Sequence, residues 1–384
     1  MTDNQNQPGE FDAVLGGEQE HQNYAVVLGG LEGVRSRLRS SVAEIRFIGI
    51  TQAANYGKEG LDLIIEALND SSGQVRSLAY NLLQKKLKEL FLEGSKLKVK
   101  QELSNFDKLQ LFTTLKDWVI QDFNPRYPLI DAASIGYRLK TIEDLKLLLQ
   151  YSQVGELQAL IIKIYSEENS NIIDILLENY KHFIGLKALS ISPGKNSTII
   201  NEASRILKVY PNLNLLEVRE CNGIIFDNIQ HNNLKTLIID SSGLIKNLNK
   251  LELPGLEFLD LGFGNSGYIN IRPDIDYLKR IFSGSFFHQV RYLGLRSGKS
   301  YNAIASFIVS SGILNRLIGL DLSDADLGDK GAETLFNSPL INRLHTLNVS
   351  KNRLSPAMVK KLSQLKCRVI AEPQKSYRYN PSCE

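Results

Sequence analysis

Two stretches near the end of the chain, Leu317–Leu322 (LIGLDL) and Leu344–Val349 (LHTLNV), decide the fold. Each has an apolar residue at its first, fourth and sixth positions, and the two stretches begin 27 residues apart. The second stretch continues to Asn352 at its ninth position, which completes the pattern L-x-x-L-x-L-x-x-N/C. A pattern that recurs every 20 to 50 residues indicates a repeat architecture.

The pattern recurs across more than half of the chain. Six further copies begin at Leu157, Leu186, Leu213, Leu234, Leu256 and Val290. The steps between the starts of the eight copies are 29, 27, 21, 22, 34, 27 and 27 residues. Only two copies, those with Cys221 and Asn352, keep Cys or Asn at the ninth position, so we expect irregular turns in the middle of the array.

The apolar spacing predicts one short strand in each copy. Side chains alternate between the two faces of a strand, so the fourth and sixth positions point into the core and the fifth and seventh point outward. One repeat cannot bury its apolar side alone, and stacking of the repeats supplies the core. The predicted strands are parallel, form one curved sheet and are centred near residues 160, 189, 216, 237, 259, 293, 320 and 347. Return segments such as 329–336 and 355–362 read as short outer helices.

The C-terminal part of the chain, about residues 120–384, resembles a family of bacterial leucine-rich repeat proteins of the ribonuclease-inhibitor type. The stretches that carry the resemblance are Phe123-Asn-Pro125, Asp131-Ala-Ala, Tyr137, Tyr292-Leu-Gly-Leu-Arg296, Leu320-Asp-Leu-Ser323, Gly331-Ala-Glu-Thr-Leu and Cys367-Arg-Val-Ile-Ala-Glu. The resemblance implies an α/β leucine-rich repeat solenoid, with a curved parallel sheet and outer helices. The resemblance implies no catalytic residues for this chain.

The N-terminal third has a helical pattern from Leu31 to Leu92. Arg46 and Arg76 occupy equivalent places 30 residues apart, in Glu-Ile-Arg and Gln-Val-Arg. An arginine at the start of the second helix of a pair is typical of HEAT or armadillo repeats. The segment also resembles the armadillo-like domain that precedes the porphyrin-binding domain of tetrapyrrole-binding chelatase regulators. The porphyrin-binding domain itself is not evident, so we expect no cofactor.

These patterns predict five consecutive segments. They are a disordered N-terminus (1–23), a HEAT/armadillo-like domain (24–95), a linker and N-terminal cap of the solenoid (96–150), the leucine-rich repeat domain (151–373) and a C-terminal tail (374–384). The amphipathic stretch 105–121 is expected to cover the open end of the solenoid, because that end would otherwise expose apolar strands.

Composition narrows the classes of partner. The chain has 384 residues and a net charge of +3, so no strong field favours nucleic acid. No apolar run approaches the length of a membrane helix, and the Asn/Gln-rich start is not a signal peptide. Three scattered cysteines do not make a disulfide framework. We expect a cytoplasmic monomer with reduced thiols and no membrane or nucleic-acid partner.

The sequence offers little for catalysis. The five histidines are isolated, and no zinc-binding spacing occurs. Cys221 is expected to hydrogen-bond within a turn, and Asp321, Asp324 and Asp326 lack the continuation of a calcium loop. His345 lies at the edge of the concave face as an exposed residue. We therefore predict a protein without enzymatic activity.

The outward-facing positions give a candidate protein-binding surface. Phe258 and Tyr292 come from adjacent repeats at the same position and should be neighbours, with Arg296 and Asp260 beside them. Aromatic residues and arginine dominate interface energies. The alternative is that the two rings only pack on each other and on the strands. The candidate residues are Phe258, Asp260, Tyr292, Arg296, Arg219 and Asp321.

The favoured function is a non-enzymatic adaptor that binds a protein partner on the concave face of the repeats. A stoichiometric regulator or inhibitor of a specific enzyme is the alternative, and an enzyme with an unrecognised site is a third. Fold alone does not separate these functions.

Overall fold

The computed structural model divides the chain into two compact units. One unit comprises Met1–Leu111 with Lys116–Trp118, and the other Phe112–Leu115 with Val119–Glu384. The residues described are 30–89, 93–163, 172–192, 199–200, 202–264, 276, 278–279, 282, 287–298 and 301–375. The expected disordered start (1–23), residues 265–275 and residues 376–384 lie outside them. The finer division into five segments stays a prediction.

The first unit consists of helices. They are α1 Gly30–Leu38, α2 Ala43–Ala53, α3 Gly57–Glu66, α4 Gly73–Glu89 and α5 Glu93–Asn105, with 3₁₀ turns at Ala67–Asn69 and Lys108–Leu111. In α4 the residues Val75, Ala79 and Leu83 are fully buried, as their spacing of four predicts. Ile50 of α2 and Ile64 of α3 are buried with them, and this small core holds the unit together.

Arg46 and Arg76 make equivalent contacts inside the helical unit. Each donates through Nη1 to the backbone carbonyls five and six residues before it, at 2.8 and 2.9 Å from Arg46 and 2.6 Å twice from Arg76. Each also forms a largely buried ion pair, Arg46 with Asp70 at 2.8 Å and Arg76 with Asp117 at 3.0 Å. Both arginines therefore fasten the turn that precedes their own helix, which gives the unit an internal repeat.

The second unit is built on an 11-stranded parallel sheet. Its strands, in sheet order, are β1 Val119–Asp122, β2 Ile135–Leu139, β3 Ala159–Lys163, β4 Ala188–Ser192, β6 Leu215–Cys221, β9 Thr236–Ser241, β12 Phe258–Phe263, β13 Tyr292–Arg296, β14 Gly319–Asp321, β15 Thr346–Asn348 and β16 Arg368–Ile370. Sequence neighbours are sheet neighbours throughout, which is the topology of a solenoid.

The register confirms the eight predicted strands. The fourth-position leucines pair in one unbroken row from Leu160 through Leu259 to Leu347. Every leucine of this row is at most 1% exposed. Three strands were not predicted: β1 and β2 extend the sheet at one edge and β16 at the other. Tyr137 continues the core row on β2, while Gln121 stands beside it on the edge strand β1.

The secondary structure of each return segment depends on the length of its repeat. The longer repeats return through helices, which are α6 Ile142–Leu148, α7 Ile172–Glu178, α8 Glu202–Val209, α9 Tyr301–Ser310, α10 Asp329–Phe336 and α11 Pro356–Leu362. The repeats of 21 and 22 residues return instead through two-residue strands, which are β7 Ile224–Ile225, β8 Ile229–Gln230, β10 Ile245–Lys246 and β11 Leu251–Glu252; β5 Ile199–Ile200 pairs with β7. Extended chain covers about 3.3 Å per residue and a helix only about 1.5 Å, so a short return has to be extended.

Short 3₁₀ helices complete the connections. They are Leu115–Asp117, Ser152–Glu156, Tyr180–Phe183, Leu248–Lys250, Ile313–Asn315 and Pro339–Arg343. Residues 105–121, which were expected as one amphipathic cap, therefore form two 3₁₀ turns and the beginning of β1.

The turn after each strand has a local cause. Four repeats place a non-glycine residue at the eighth position in the left-handed region, with φ of 56° or 57°: Glu220, Ser297, Asp324 and Lys351. This conformation reverses the chain away from the sheet. In the last complete repeat the fully buried Asn352 then bonds to four backbone groups of the turn and its neighbour. The thiol of Cys221 lies 3.6 Å from the carbonyl oxygen of Asp240 on the neighbouring strand.

Candidate protein-binding surface

Phe258 and Tyr292 form a stacked pair on the face of the sheet that points away from the solenoid core, which the repeat pattern predicts to be concave. Their strands, β12 and β13, pair in parallel with these two residues directly opposite each other. The ring centroids are 3.9 Å apart and the rings are nearly parallel, at 3°. The neighbourhood expected from the repeat register is therefore present, and both side chains point away from the solenoid core.

A third ring covers this pair. Phe112, which is 1% exposed, packs with its ring centroid 5.5 Å from Phe258 and 6.0 Å from Tyr292, edge-on to both. The next residue is also fixed, because the hydroxyl of Thr236 donates to the carbonyl oxygen of Thr113 at 2.6 Å. The repeat pattern alone suggests that this aromatic pair is open to solvent, but Phe112 covers it. Sequence reasoning missed Phe112, since it lies outside the repeats and carries no repeat signature.

An ion pair lies beside the rings. Arg296 donates from Nε to Asp260 at 2.7 Å, and only 19% of the arginine side chain and 10% of the aspartate side chain are exposed. Burial raises the pKa of Asp260, and the nearby Arg296 guanidinium opposes that shift. Burial alone would lower the pKa of Arg296, but the charge of Asp260 more than compensates and raises it. Arg296 therefore stays charged.

Asp321 is an anchoring carboxylate rather than a freely exposed one. It is 8% exposed and accepts from the hydroxyl of Tyr292 at 3.2 Å, from Nδ2 of Asn348 at 3.0 Å and from the amide of Ser323 at 2.8 Å. Burial, reinforced by the charges of Asp321 and Asp260, raises the pKa of Tyr292 well above its usual value. The expectation that Asp321 simply faces solvent is corrected by these contacts.

Arg219 is the most accessible of the candidate charged residues. Its Nε contacts Glu217 of the same strand, and Nη1 lies 4.0 Å from Asp240 on the next strand. The side chains of Arg219 and Asp240 are 35% and 33% exposed. In contrast, the third-position residues Leu215 and Thr236 are fully buried. Among the seventh positions, Arg219, Asp240 and Arg296 are partly exposed, whereas Ser192, Gly262, Ser323 and Ser350 are buried.

The remaining reactive side chains have structural partners. Asp324 pairs with Lys375 at 2.7 Å and Asp326 with Arg353 at 2.6 Å, so each carboxylate faces a cation of its own. In the part of the chain that the structure describes, no group of three or more His, Cys, Asp or Glu side chains is placed to hold a metal ion. Burial raises the pKa of the Cys221 thiol.

The histidines of the repeats are also engaged. His231 is 3% exposed and contacts the carbonyl of Tyr210 at 3.0 Å while accepting from the amide of Leu234. His345 is half-buried and contacts the hydroxyl of Thr346 at 2.9 Å. None of the helices described above is both long and apolar enough to cross a membrane.

Comparison with known proteins supports the architecture. No protein-family model matches the sequence. No curated protein matches it either. Among solved structures, a Bacteroides fragilis protein determined by the Northeast Structural Genomics Consortium is similar, with 21% identity over 79% of this chain and 85% of that one and a TM-score of 0.54. An internalin of Listeria monocytogenes matches with 17% identity over 63% of this chain and 73% of that one, at a TM-score of 0.28.

The fold and the repeat register together define the class of this protein. It is an α/β solenoid of leucine-rich repeats with a long parallel sheet. The similarity to the Bacteroides protein concerns this fold alone.

Proposed function

We propose that this protein is a non-enzymatic adaptor that binds a protein partner on the concave face of its leucine-rich repeats. The observation that carries the proposal is a set of partly exposed, ion-paired charges on that face, with Arg219 near Asp240 and Arg296 bonded to Asp260. Arg219, Asp240 and Arg296 come from different strands, yet their positions are fixed by ion pairs and by the sheet. Charged groups that are already held in place lose little freedom on binding, which favours specific recognition.

The charge balance indicates the chemistry of the partner. The cluster on the concave face holds four carboxylates against two guanidiniums: Glu217, Asp240, Asp260, Asp321, Arg219 and Arg296. Glu217, Asp260 and Asp321 are at most 8% exposed, so the most accessible charges are the Arg219 guanidinium and the Asp240 carboxylate. A matching partner presents an acidic group to Arg219 and a basic group to Asp240. Complementary charges of this kind speed association and select between partners more than they add affinity.

The experiment compares two arginine substitutions in the full chain. Arg219→Glu reverses a charge on the concave face, whereas Arg205→Glu reverses one on α8, where Arg205 pairs with Asp174 at 2.9 Å. Both arginines are partly exposed and both lose an ion pair, so their effects on stability should be similar. Partners captured by the wild-type protein and by Arg205→Glu should be lost with Arg219→Glu. Equal capture by both variants would remove these charges of the concave face from the proposal.

The candidate residues do not all suit this test equally. Phe258 and Tyr292 are covered by Phe112, and Arg296 neutralises the buried Asp260. Removal of any of them changes the packing as well as the surface. Arg219 is the cleaner choice because its side chain is more exposed and makes fewer internal contacts.

The finer classification is part of the proposal. Helical returns in the longer repeats support the ribonuclease-inhibitor type, although the two short repeats return through strands. The equivalent contacts of Arg46 and Arg76 support a HEAT/armadillo-like first unit. We further propose a cytoplasmic monomer. A mass measurement in solution at micromolar concentration tests the monomer, and a mass of twice 43.1 kDa would exclude it.

A further inference from the structure

The covered aromatic pair has the form of an occupied binding site. We define the aromatic seat as Phe258, Tyr292 and Thr236, which occupy equivalent third positions on three adjacent strands. Phe112 fills it with one ring, edge-on to both stacked rings. Edge-to-face contact of this kind is a favoured arrangement of aromatic rings and depends on the ring rather than on apolar bulk alone.

The seat also recognises the backbone that follows the ring. Thr236 is fully buried, and its hydroxyl donates to the carbonyl of Thr113 at 2.6 Å. Every residue has a backbone carbonyl, so this bond sets no requirement on the side chain at that place. The seat therefore accepts an aromatic side chain followed directly by a backbone carbonyl. Any protein segment that contains an aromatic residue can supply this combination.

The seat is rigid, whereas its occupant is irregular. Tyr292 is fixed by stacking on Phe258 and by its hydrogen bond to Asp321 at 3.2 Å. Phe112 to Thr114 form neither helix nor strand. A preorganised surface under an irregular segment can exchange that segment for another of the same chemistry without rebuilding the sheet.

We propose that the aromatic seat binds an aromatic side chain of the protein partner, and that residues Phe112–Leu115 occupy the seat in the free protein until that partner displaces them. This inference rests on the proposed function, because it names the chemistry of a partner at the same concave face. The occupying segment is an internal competitor. Its effective concentration is on the order of millimolar for a short tether, so a competing segment binds weakly as long as Phe112 is in place.

The test uses a synthetic peptide with the sequence of residues 110–115 (QLFTTL), blocked at both ends and labelled for fluorescence anisotropy. Phe112→Ala in the full chain removes the ring from the seat but leaves Phe258, Tyr292 and Thr236 in place, and should raise the affinity for the peptide at least tenfold over the wild-type protein. The same peptide with alanine in place of phenylalanine should not gain. Phe106→Ala is the matched control, since it removes a buried ring that packs on Tyr80 at 5.5 Å and leaves the seat occupied.

Circular dichroism and a urea melt establish that each variant is folded. If Phe112→Ala is unfolded, Phe112→Leu replaces it, because leucine retains apolar volume but not the ring, and the peptide should again bind more tightly than to the wild type. Adding Phe258→Ala to the folded variant should abolish the gain. A folded variant that binds both peptides equally, or neither more tightly than the wild type does, would overturn the inference.

The two proposals fail in different ways. Loss of partner capture by Arg219→Glu with no gain of peptide binding by Phe112→Ala would leave the adaptor function and remove the internal competitor. Peptide binding by Phe112→Ala together with partner capture that ignores Arg219 would keep the seat and move the partner's charged contacts elsewhere.

Discussion

Asn352 should be among the most costly polar residues of the solenoid to remove. Its side chain is fully buried and bonds to four backbone groups: it accepts from the amides of Ala325 and Leu327 at 2.8 and 3.0 Å, and donates to the carbonyls of Leu322 and Val349 at 2.8 and 2.9 Å. Asn352→Ala removes all four partners at once. Each buried group left without a partner costs about 1–3 kcal/mol.

The total loss of stability should be smaller than four times the cost of one unsatisfied buried group. The carbonyl of Val349 keeps a second donor, the side-chain amide of Gln374 at 3.0 Å, so three groups lose their partner. A water molecule that enters the space left by the amide can satisfy some of them. We therefore expect Asn352→Ala to lower the free energy of unfolding by about 3–5 kcal/mol, near the upper range of single substitutions.

Urea unfolding followed by circular dichroism measures this loss. Asn315→Ala is the matched control, because Asn315 is exposed and accepts only a long bond from Arg343 at 3.3 Å, and its removal should cost less than about 0.5 kcal/mol. The urea dependence should be similar for both variants, so that midpoints can be compared. A loss for Asn352→Ala no larger than that for the control would refute the view that this side chain holds the turn.

Three further predictions concern the solenoid. Leu320→Ala should lower the free energy of unfolding in urea by ~2–5 kcal/mol, because its side chain is buried in the core row. Asp321→Ala should lower it by about 1–3 kcal/mol, because the buried donors around the carboxylate lose their acceptor. A larger loss of stability for Asp321→Ala than for Leu320→Ala would contradict the register. In the variant Cys383→Ser, Cys221 and Cys367 should react slowly with a thiol reagent at pH 8 and rapidly in urea. The reason is that both thiols are buried and burial raises the pKa of each. A fast reaction in the folded protein would count against their burial. Burial also raises the pKa of Asp260 above its usual 3.8, so the folded state binds this proton more tightly than the unfolded state, and the stabilisation is lost as the pH rises through the folded-state pKa. The wild-type protein should therefore lose stability relative to Asp260→Asn as the pH rises above about 4, and a difference that does not change with pH would contradict this sign.

The repeat register was predictable because it depends on local spacing. The apolar positions of each copy recur within six residues, and stacking in register follows from the need to bury them. The pairing of Leu293 with Leu320, and of Phe258 with Tyr292, therefore follows from the sequence alone. The same logic fails at the edge strand β1, where Gln121 stands in the place of the core leucine and leaves no apolar signature to detect.

The candidate site was predictable only in part. Positions 258 and 292 follow from the repeat, but their cover comes from Phe112, which lies outside it. The bond between Thr236 and Thr113 joins residues 123 positions apart, and no local pattern predicts such a contact. The exposure of Asp321 was misjudged for a related reason, since its three donors come from three different repeat positions.

This dependence on distant residues changes how a concave surface should be inferred from leucine-rich repeats. Alternation along a strand tells which side chains leave the core, but not whether they reach solvent. In this protein the third-position residues Leu215 and Thr236 are fully buried and Phe258 and Tyr292 half-buried, whereas Arg219, Asp240 and Arg296 at seventh positions are in partial contact with solvent. A partner that approaches the free protein therefore meets charges first. Under the two proposals above, a partner reaches the aromatic pair only by replacing Phe112, so these charges would govern the encounter and the aromatic seat the lifetime of the complex.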